Sequence, residues 1–214
     1  MSHDDFKFEP VRGLPEALPE GEHILWQGSP APLRLARDSL GLTWVAAYFA
    51  VLTIWRVGVS STYVSFGEAL AHGIPFVAVG AIACLLIFGL AFMQARSAVY
   101  TLTNKRVAMR IGAALTMTLN LPYTQIGNAG LDVKKSGAGT LAFELIGDTR
   151  FSYVMTWPHV RPWHMSKTQP AFRSIPDVKA VAAIFAEAAE ARVFEPKVER
   201  AEERTNVVNA VAAE

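Results

Sequence analysis

Residues 98–113 read AVYTLTNKRVAMRIGA, and this stretch decides the fold because it predicts a β-hairpin. Apolar side chains alternate with polar or small ones up to position 102 and again from position 107 to 111, which is the period-two pattern of half-buried strands. Between the two runs, the letters TNKR supply a polar, basic turn. The hairpin follows an apolar run of twenty residues almost at once. The sequence therefore predicts a small β domain directly after a long apolar helix.

The composition is shifted toward apolar residues, but it is not that of a chain wholly embedded in a membrane. Of the 214 residues, 51% are hydrophobic and 18% are charged, whereas soluble domains carry about 25% charged residues on average. The formal net charge of +1 argues against a nucleic-acid partner, which would require a clear basic excess. Cys84 is the single cysteine, so we expect neither a disulfide framework nor a thiolate metal site.

Two internal segments predict a pair of transmembrane helices. Residues 74–93 contain no charged side chain, and twenty helical residues span about 30 Å, the thickness of the hydrocarbon core. Residues 40–55 are shorter and can reach that length if Ser39 and residues 57–59 are included and Arg56 extends toward the interface. A buried helix of a soluble core is the alternative interpretation of either segment.

Flanking charges predict the orientation of this pair. Lysine and arginine lie before the first segment and after the second, and they are absent from residues 57–72. The positive-inside rule then places both termini and the β domain in the cytoplasm, with Arg56 as the one dissonant charge. His72 lies just outside the second segment, so we expect an anchor without haem or pigment.

The rest of the chain predicts short strands followed by one helix. We expect strands at residues 23–27, 98–102, 106–111, 115–120, 126–133, 140–145 and 151–157. A helix is expected to follow, with Ser174 as its cap and Asp177 three residues on. Its apolar stripe consists of Val178, Val181, Phe185 and Ala188.

These elements predict a membrane-anchored α+β fold. A two-helix transmembrane hairpin is inserted in a seven-stranded pleckstrin-homology-like split barrel with a C-terminal capping helix, and closure entropy permits such a long insertion. Residues 1–37 form a cytoplasmic segment with the first strand at about 22–28, and residues 38–95 form the hairpin. Residues 96–192 form the barrel and its helix, and 193–214 a polar tail.

The segments GEHILWQG, YTLTNKRVAMRIG and LPYTQIGNAGL resemble those of the bacterial pleckstrin-homology-like membrane proteins. With WPHVRPWHMSKTQPAFRSIPDVKAVA, the chain further resembles the photosynthetic complex assembly proteins of purple bacteria, the PuhB family. That resemblance covers roughly residues 15–192. It implies a role in assembling the photosynthetic reaction centre and its core light-harvesting antenna, with subunits of these complexes and membrane lipids as partners. It implies no catalytic residues, and self-association is compatible with it.

The strongest local signal is the sequence WPHVRPWHM at 157–165. Two prolines stiffen a predicted loop that is rich in tryptophan and arginine, the residue types that dominate binding interfaces. We therefore predict a protein-docking surface, with the alternative that the tryptophans cap the barrel or lie at the membrane interface. The predicted docking residues are Trp157, Pro158, His159, Arg161, Pro162, Trp163 and His164.

The sequence was also searched for a lipid contact and for metal or catalytic sites, and only the first has a candidate. Lys105 and Arg106 at the hairpin turn are predicted to contact anionic lipid, with the alternative that they only set the topology. His159 and His164 lack a third ligand nearby in the sequence, so no zinc site is expected. No nucleophile motif and no phosphate-binding loop occurs, so we expect a binding module rather than an enzyme. The alternative function is a membrane module that binds anionic lipid or senses membrane state.

Overall fold

The computed structural model describes residues 11–147 and 151–194. The strands of this part are β1 (Ile24–Gly28), β2 (Val99–Thr103), β3 (Arg106–Ile111), β4 (Met117–Pro122), β5 (Ile126–Val133), β6 (Gly139–Leu145) and β7 (Ala171–Ile175). The helices are α1 (Pro32–Asp38), α2 (Leu42–Ser60), α3 (Phe66–Ser97), α4 (Tyr153–Thr156) and α5 (Val178–Phe194).

The strands form two antiparallel sheets, one with the order β1-β2-β3-β4 and one with the order β5-β6-β7. The predicted hairpin is confirmed, with Tyr100 opposite Met109 across β2 and β3. Both sheets contribute to one hydrophobic core, in which the ring of Tyr100 stacks on that of Phe172 at 4.6 Å between centroids. The apolar stripe of α5 joins the same core, and Phe185 contacts Phe143 there.

The helices α2 and α3 are inserted between two strands that pair with each other. β1 precedes them and β2 follows them, yet Gly28 lies opposite Tyr100 in one sheet. The two helices pack closely because Gly80 has no side chain; a Cβ there would lie 2.7 Å from the Cβ of Phe49. Ser65 caps α3 in a capping box with Glu68, so this helix begins well before the predicted position 74.

Both inserted helices are long and apolar enough to cross a membrane. In the most apolar 18-residue window of each helix, no residue of α2 and 11% of the residues of α3 are buried. A core helix of a soluble protein would be mostly buried. The expectation of two long apolar helices is thus confirmed, and these helices leave their apolar surface uncovered by the described residues.

Helix α1 was not predicted. Pro32 lies in its first turn, where a missing N–H costs nothing, and Leu35 and Ala36 are fully buried. The helix packs against α3 and touches β7. It therefore connects the β domain to the base of the helix pair.

Two predictions on the C-terminal half were wrong. Residues 151–157 do not form a strand, since Tyr153–Thr156 is a short helix, and the seventh strand is Ala171–Ile175. Ser174 belongs to that strand and accepts a backbone hydrogen bond from Ala31, so it cannot cap α5. The alternating pattern at 151–157 is not enough to form a strand, because a strand also needs a partner. The partner of β6 is β7, with Phe172 opposite Leu141. The tail predicted at 193–214 lies outside the described residues except for the end of α5.

Candidate docking surface

Residues 157–165, here called the docking segment after their predicted role, are held on the domain by strand-like pairing. Val160 forms a bridge with Pro170, and the N–H of Ala171 donates to the carbonyl of His159 at 2.9 Å. The N–H of Arg161 donates in turn to the carbonyl of Gln169, also at 2.9 Å. Because this pairing continues the chain that enters β7, residues 162–168 form a loop with a fixed base.

Large apolar side chains project from this segment. Trp163 is 87% exposed and Trp157 is 41% exposed, so neither tryptophan caps the core. Val154, Met155 and Met165 are also exposed close by in the sequence. Trp163 has a φ of 64°, a left-handed conformation that a bulky residue adopts rarely. Such a conformation occurs where the surrounding structure fixes it, and functional sites are enriched in it.

Both tryptophans line a cleft of about 340 Å³, here called the tryptophan cleft. Its other walls include Ser39, just before α2, and Arg173 of β7. Aromatic and apolar walls with a few polar groups are typical of sites that receive a protruding partner side chain. The cleft therefore lies where the docking segment and the start of the apolar helices meet.

Two of the predicted docking residues lie inside the domain. Pro158 is buried, and His159 is 1% exposed. The N–H of Arg173 donates to the Tyr100 oxygen at 3.3 Å, so we assign the Tyr100 hydroxyl as donor to Nδ1 of His159, at 2.6 Å. Burial, and to a smaller extent the charge of Arg173, lower the pKa of His159 to about 3. His159 is thus a neutral core residue that supports the docking segment from beneath.

The remaining predicted docking residues lie at the surface. The guanidinium of Arg161 donates to the side-chain carbonyl of Gln169 at 3.1 Å and rests over Gly130 in β5. Pro162 is exposed, and its carbonyl accepts a hydrogen bond from Nδ1 of His164 at 2.8 Å. The surface part of the site therefore consists of Trp157, Arg161, Pro162, Trp163 and His164.

Arg173 was missed by sequence analysis. Its Nη2 donates to the hydroxyl of Ser39 at 2.8 Å and to the carbonyl of Asp38 at 3.2 Å. Burial lowers its pKa, and nearby Tyr100 and Asp38 oppose that shift. Through its side chain and its backbone N–H, Arg173 links the residues before α2 to the pair Tyr100 and His159. A single arginine in an apolar strand gives no sequence signal of such a role.

Lys105 and Arg106 lie at the turn of the β2–β3 hairpin, about 26 Å of extended chain beyond the end of α3. Nε of Arg106 donates to Glu22 at 2.8 Å in an ion pair, and Nζ of Lys105 donates to the carbonyl of Glu20 at 3.2 Å. Asn104 binds this same N-terminal stretch. Both predicted lipid-contact residues are therefore engaged in bracing the segment before β1.

Within residues 11–147 and 151–194, no group of three or more His, Cys, Asp or Glu side chains is placed to hold a metal ion. Neither His159 nor His164 is assigned as a ligand. The chemistry that the surface offers is recognition by aromatic, apolar and guanidinium groups.

The fold and this surface define a two-sheet domain with an inserted pair of apolar helices and an exposed aromatic segment. A family model described as "Bacterial PH domain" matches residues 39–189, and the chain belongs to this family. The expectation of a bacterial pleckstrin-homology-like domain is thereby confirmed.

A curated relative from Rhodobacter capsulatus is 43% identical over 200 residues, which cover 92% of this chain and 94% of that protein. It is described as an uncharacterized 23.7 kDa protein in the puhA 5' region. A crystal structure of a DUF1696 family protein with a pleckstrin-homology domain from Shewanella loihica matches 43% of this chain and 71% of its own. Its identity is 13% and its TM-score 0.29.

Proposed function

We propose that this protein is a membrane-anchored assembly factor for the purple-bacterial photosynthetic reaction centre and its core antenna. The observation that carries the proposal is the relative described by its position at puhA, in a reaction-centre gene region. At 43% identity over nearly the full length of both chains, the two proteins share one architecture. The resemblance of the sequence to the PuhB family supports the same role.

The anchor in this proposal is the helix pair. α2 and α3 would span about 28 Å and 48 Å at 1.5 Å per residue, so the longer helix would extend beyond a hydrocarbon core of about 30 Å. Their uncovered apolar surface would then face lipid. With Arg37 before α2 and Arg96 in the last turn of α3, the β domain would lie on the cytoplasmic face of the inner membrane.

The docking module is the surface around the tryptophan cleft. Trp157 and Trp163 are exposed beside the start of α2, so a membrane-embedded subunit could reach them without leaving the bilayer. Recognition needs neither a catalytic group nor a cofactor, and we propose neither. The alternative function, lipid sensing through Lys105 and Arg106, loses support because the N-terminal segment engages both side chains.

Affinity purification of the tagged full-length chain from membranes of a photosynthetic host tests this function. We expect reaction-centre or core antenna subunits among the proteins recovered from detergent extracts. Trp163→Ala should reduce their recovery about tenfold, which corresponds to about 1.4 kcal/mol of binding free energy. The abundance of the Trp163→Ala variant should stay normal, because the Trp163 side chain is 87% exposed.

Leu115→Ala serves as the matched control, since Leu115 is 84% exposed and is not among the residues that line the cleft. This variant should recover the partners normally. Absence of photosynthetic subunits from the wild-type sample would refute the assembly role. Equal recovery with Trp163→Ala and Leu115→Ala would remove the cleft from it.

A further inference from the structure

A group of basic side chains is brought together from distant parts of the sequence at the base of the helix pair. The guanidinium of Arg34 in α1 donates to the hydroxyl of Ser136 in the β5–β6 turn. In the same contact, Lys134 forms an ion pair with Asp38 at the end of α1. The turn is thereby fixed on α1. We call Arg34, Arg37, Lys134 and Lys135 the basic collar.

The position of the collar follows from the packing of α1. This helix ends at Asp38, and α2 begins at Leu42 after Gly41 in a left-handed conformation. Its buried side chains, Leu35 and Ala36, face the interior, and α1 packs on α3. The collar therefore lies beside the end of the helix pair from which the chain enters the β domain.

The collar also carries an unbalanced charge. It has four cationic groups against two neighbouring carboxylates: Asp38, which is already paired with Lys134, and Asp177, which lies beside Gly137 of the same turn. Arg37 and Lys135 are exposed and form no hydrogen bond or ion pair with other residues in the described part of the chain. Two cations that have no partner among the described residues, at the base of apolar helices, are complementary to an anionic surface.

We propose that the basic collar binds the headgroups of acidic phospholipids, and that Arg37 and Lys135 provide most of the attraction. The proposal rests on the membrane anchor of the proposed function, but it is independent of the photosynthetic partner. Basic residues next to a membrane-embedded helix are attracted to an anionic leaflet within a Debye length. The hairpin turn is less suited to this role, because Arg106 is paired with Glu22 and the ammonium group of Lys105 is held by the carbonyl of Glu20. Bound at the collar, the lipid surface would fix the tilt of the domain and present the tryptophan cleft to neighbouring subunits.

The experiment uses full-length protein in nanodiscs with equal amounts of phosphatidylglycerol and phosphatidylcholine. Native mass spectrometry then counts the lipids retained as the disc is removed. The wild-type chain should retain phosphatidylglycerol in preference. Arg37→Gln combined with Lys135→Gln should lower this preference about 25-fold, given a contribution of about fivefold per basic residue near the surface.

The control variant combines Lys105→Gln with Lys167→Gln, which removes the same charge away from the collar. Lys167 forms an exposed ion pair with Glu144, so its loss has little effect on stability. This variant should keep the wild-type preference. An equal loss in both variants, or no preference in the wild type, would overturn the collar proposal while leaving the anchor intact. Release of the wild-type chain from membranes by alkaline carbonate would overturn the anchor and the collar proposal together.

Discussion

The buried imidazole of His159 makes the domain sensitive to acid, and the size of this effect follows from its surroundings. Its folded-state pKa is about 3, against an ordinary value of 6.5. Between these values the unfolded chain binds a proton at this position and the folded chain does not. Stability is therefore lost as the pH falls below about 6.5. Lowering the pH from about 7.5 to about 5 should cost about 2 kcal/mol from this residue alone, at 1.36 kcal/mol per pH unit.

The perturbation that isolates this effect is His159→Asn. The asparagine amide can still meet the Tyr100 hydroxyl but cannot take up a proton in this range. The variant loses some packing at every pH, so the relevant quantity is the change in melting temperature between the two pH values within each protein. For a chain of this size, about 2 kcal/mol corresponds to about 4–8 °C.

Thermal unfolding of full-length protein in detergent micelles, followed by circular dichroism, measures this change. Carboxylates and the other histidines contribute to the pH dependence of both proteins equally, so the wild type should show the larger drop by about 4–8 °C. His164→Asn, which changes a histidine nearer the surface, should behave like the wild type. If His159→Asn keeps the full acid sensitivity of the wild type, the buried neutral imidazole is not its source.

Three further predictions concern the helix pair. On a background without the native cysteine, cysteine at Ser61 should react with an impermeant reagent from the periplasmic side and cysteine at Ser136 should not; the reverse pattern would refute the orientation. Gly80→Ala should lower the melting temperature, because its Cβ would lie 2.7 Å from Phe49, whereas Gly89→Ala, with open space around it, should not. Equal effects of the two substitutions on the melting temperature would mean that the close packing of α2 on α3 at Gly80 does not stabilise the protein. Protein purified from a photosynthetic host should show no stoichiometric absorbance of bacteriochlorophyll or haem, and such an absorbance would contradict a simple anchor.

Elements that depend on nearby residues could be predicted from the sequence. The strands at 106–111 and 126–133 have the predicted bounds, since each has an adjacent partner and a clear turn signal. The strand predicted at 151–157 failed because alternation over a few residues does not specify a partner. The true partner of β6 is β7, and that pairing depends on contacts that local patterns do not encode.

The candidate docking surface could be predicted only in part, because it too depends on contacts between residues far apart in the sequence. Tryptophan, proline and arginine marked the segment 157–165, and the exposure of Trp163 agrees with a surface role. The burial of His159 depends on Tyr100, which lies 59 residues earlier, and on Arg173 in a strand that was not predicted. The basic collar joins α1 to a turn about a hundred residues later. No local sequence pattern indicates that these two segments lie together.

The insertion of the helix pair between β1 and β2 also determines the order in which the domain can be completed. About 70 residues separate the two strands, so β1 leaves the ribosome about 4–14 seconds before its partner, at roughly 5–20 residues per second. Until the helices have folded back, β2 presents an unpaired edge, which is prone to misassociation. When they have, β1 covers that edge with the register from Ile24 opposite Thr103 to Gly28 opposite Tyr100. Closure of the sheet thus requires that the helices have folded back, and a chain with misplaced helices would leave the edge of β2 uncovered.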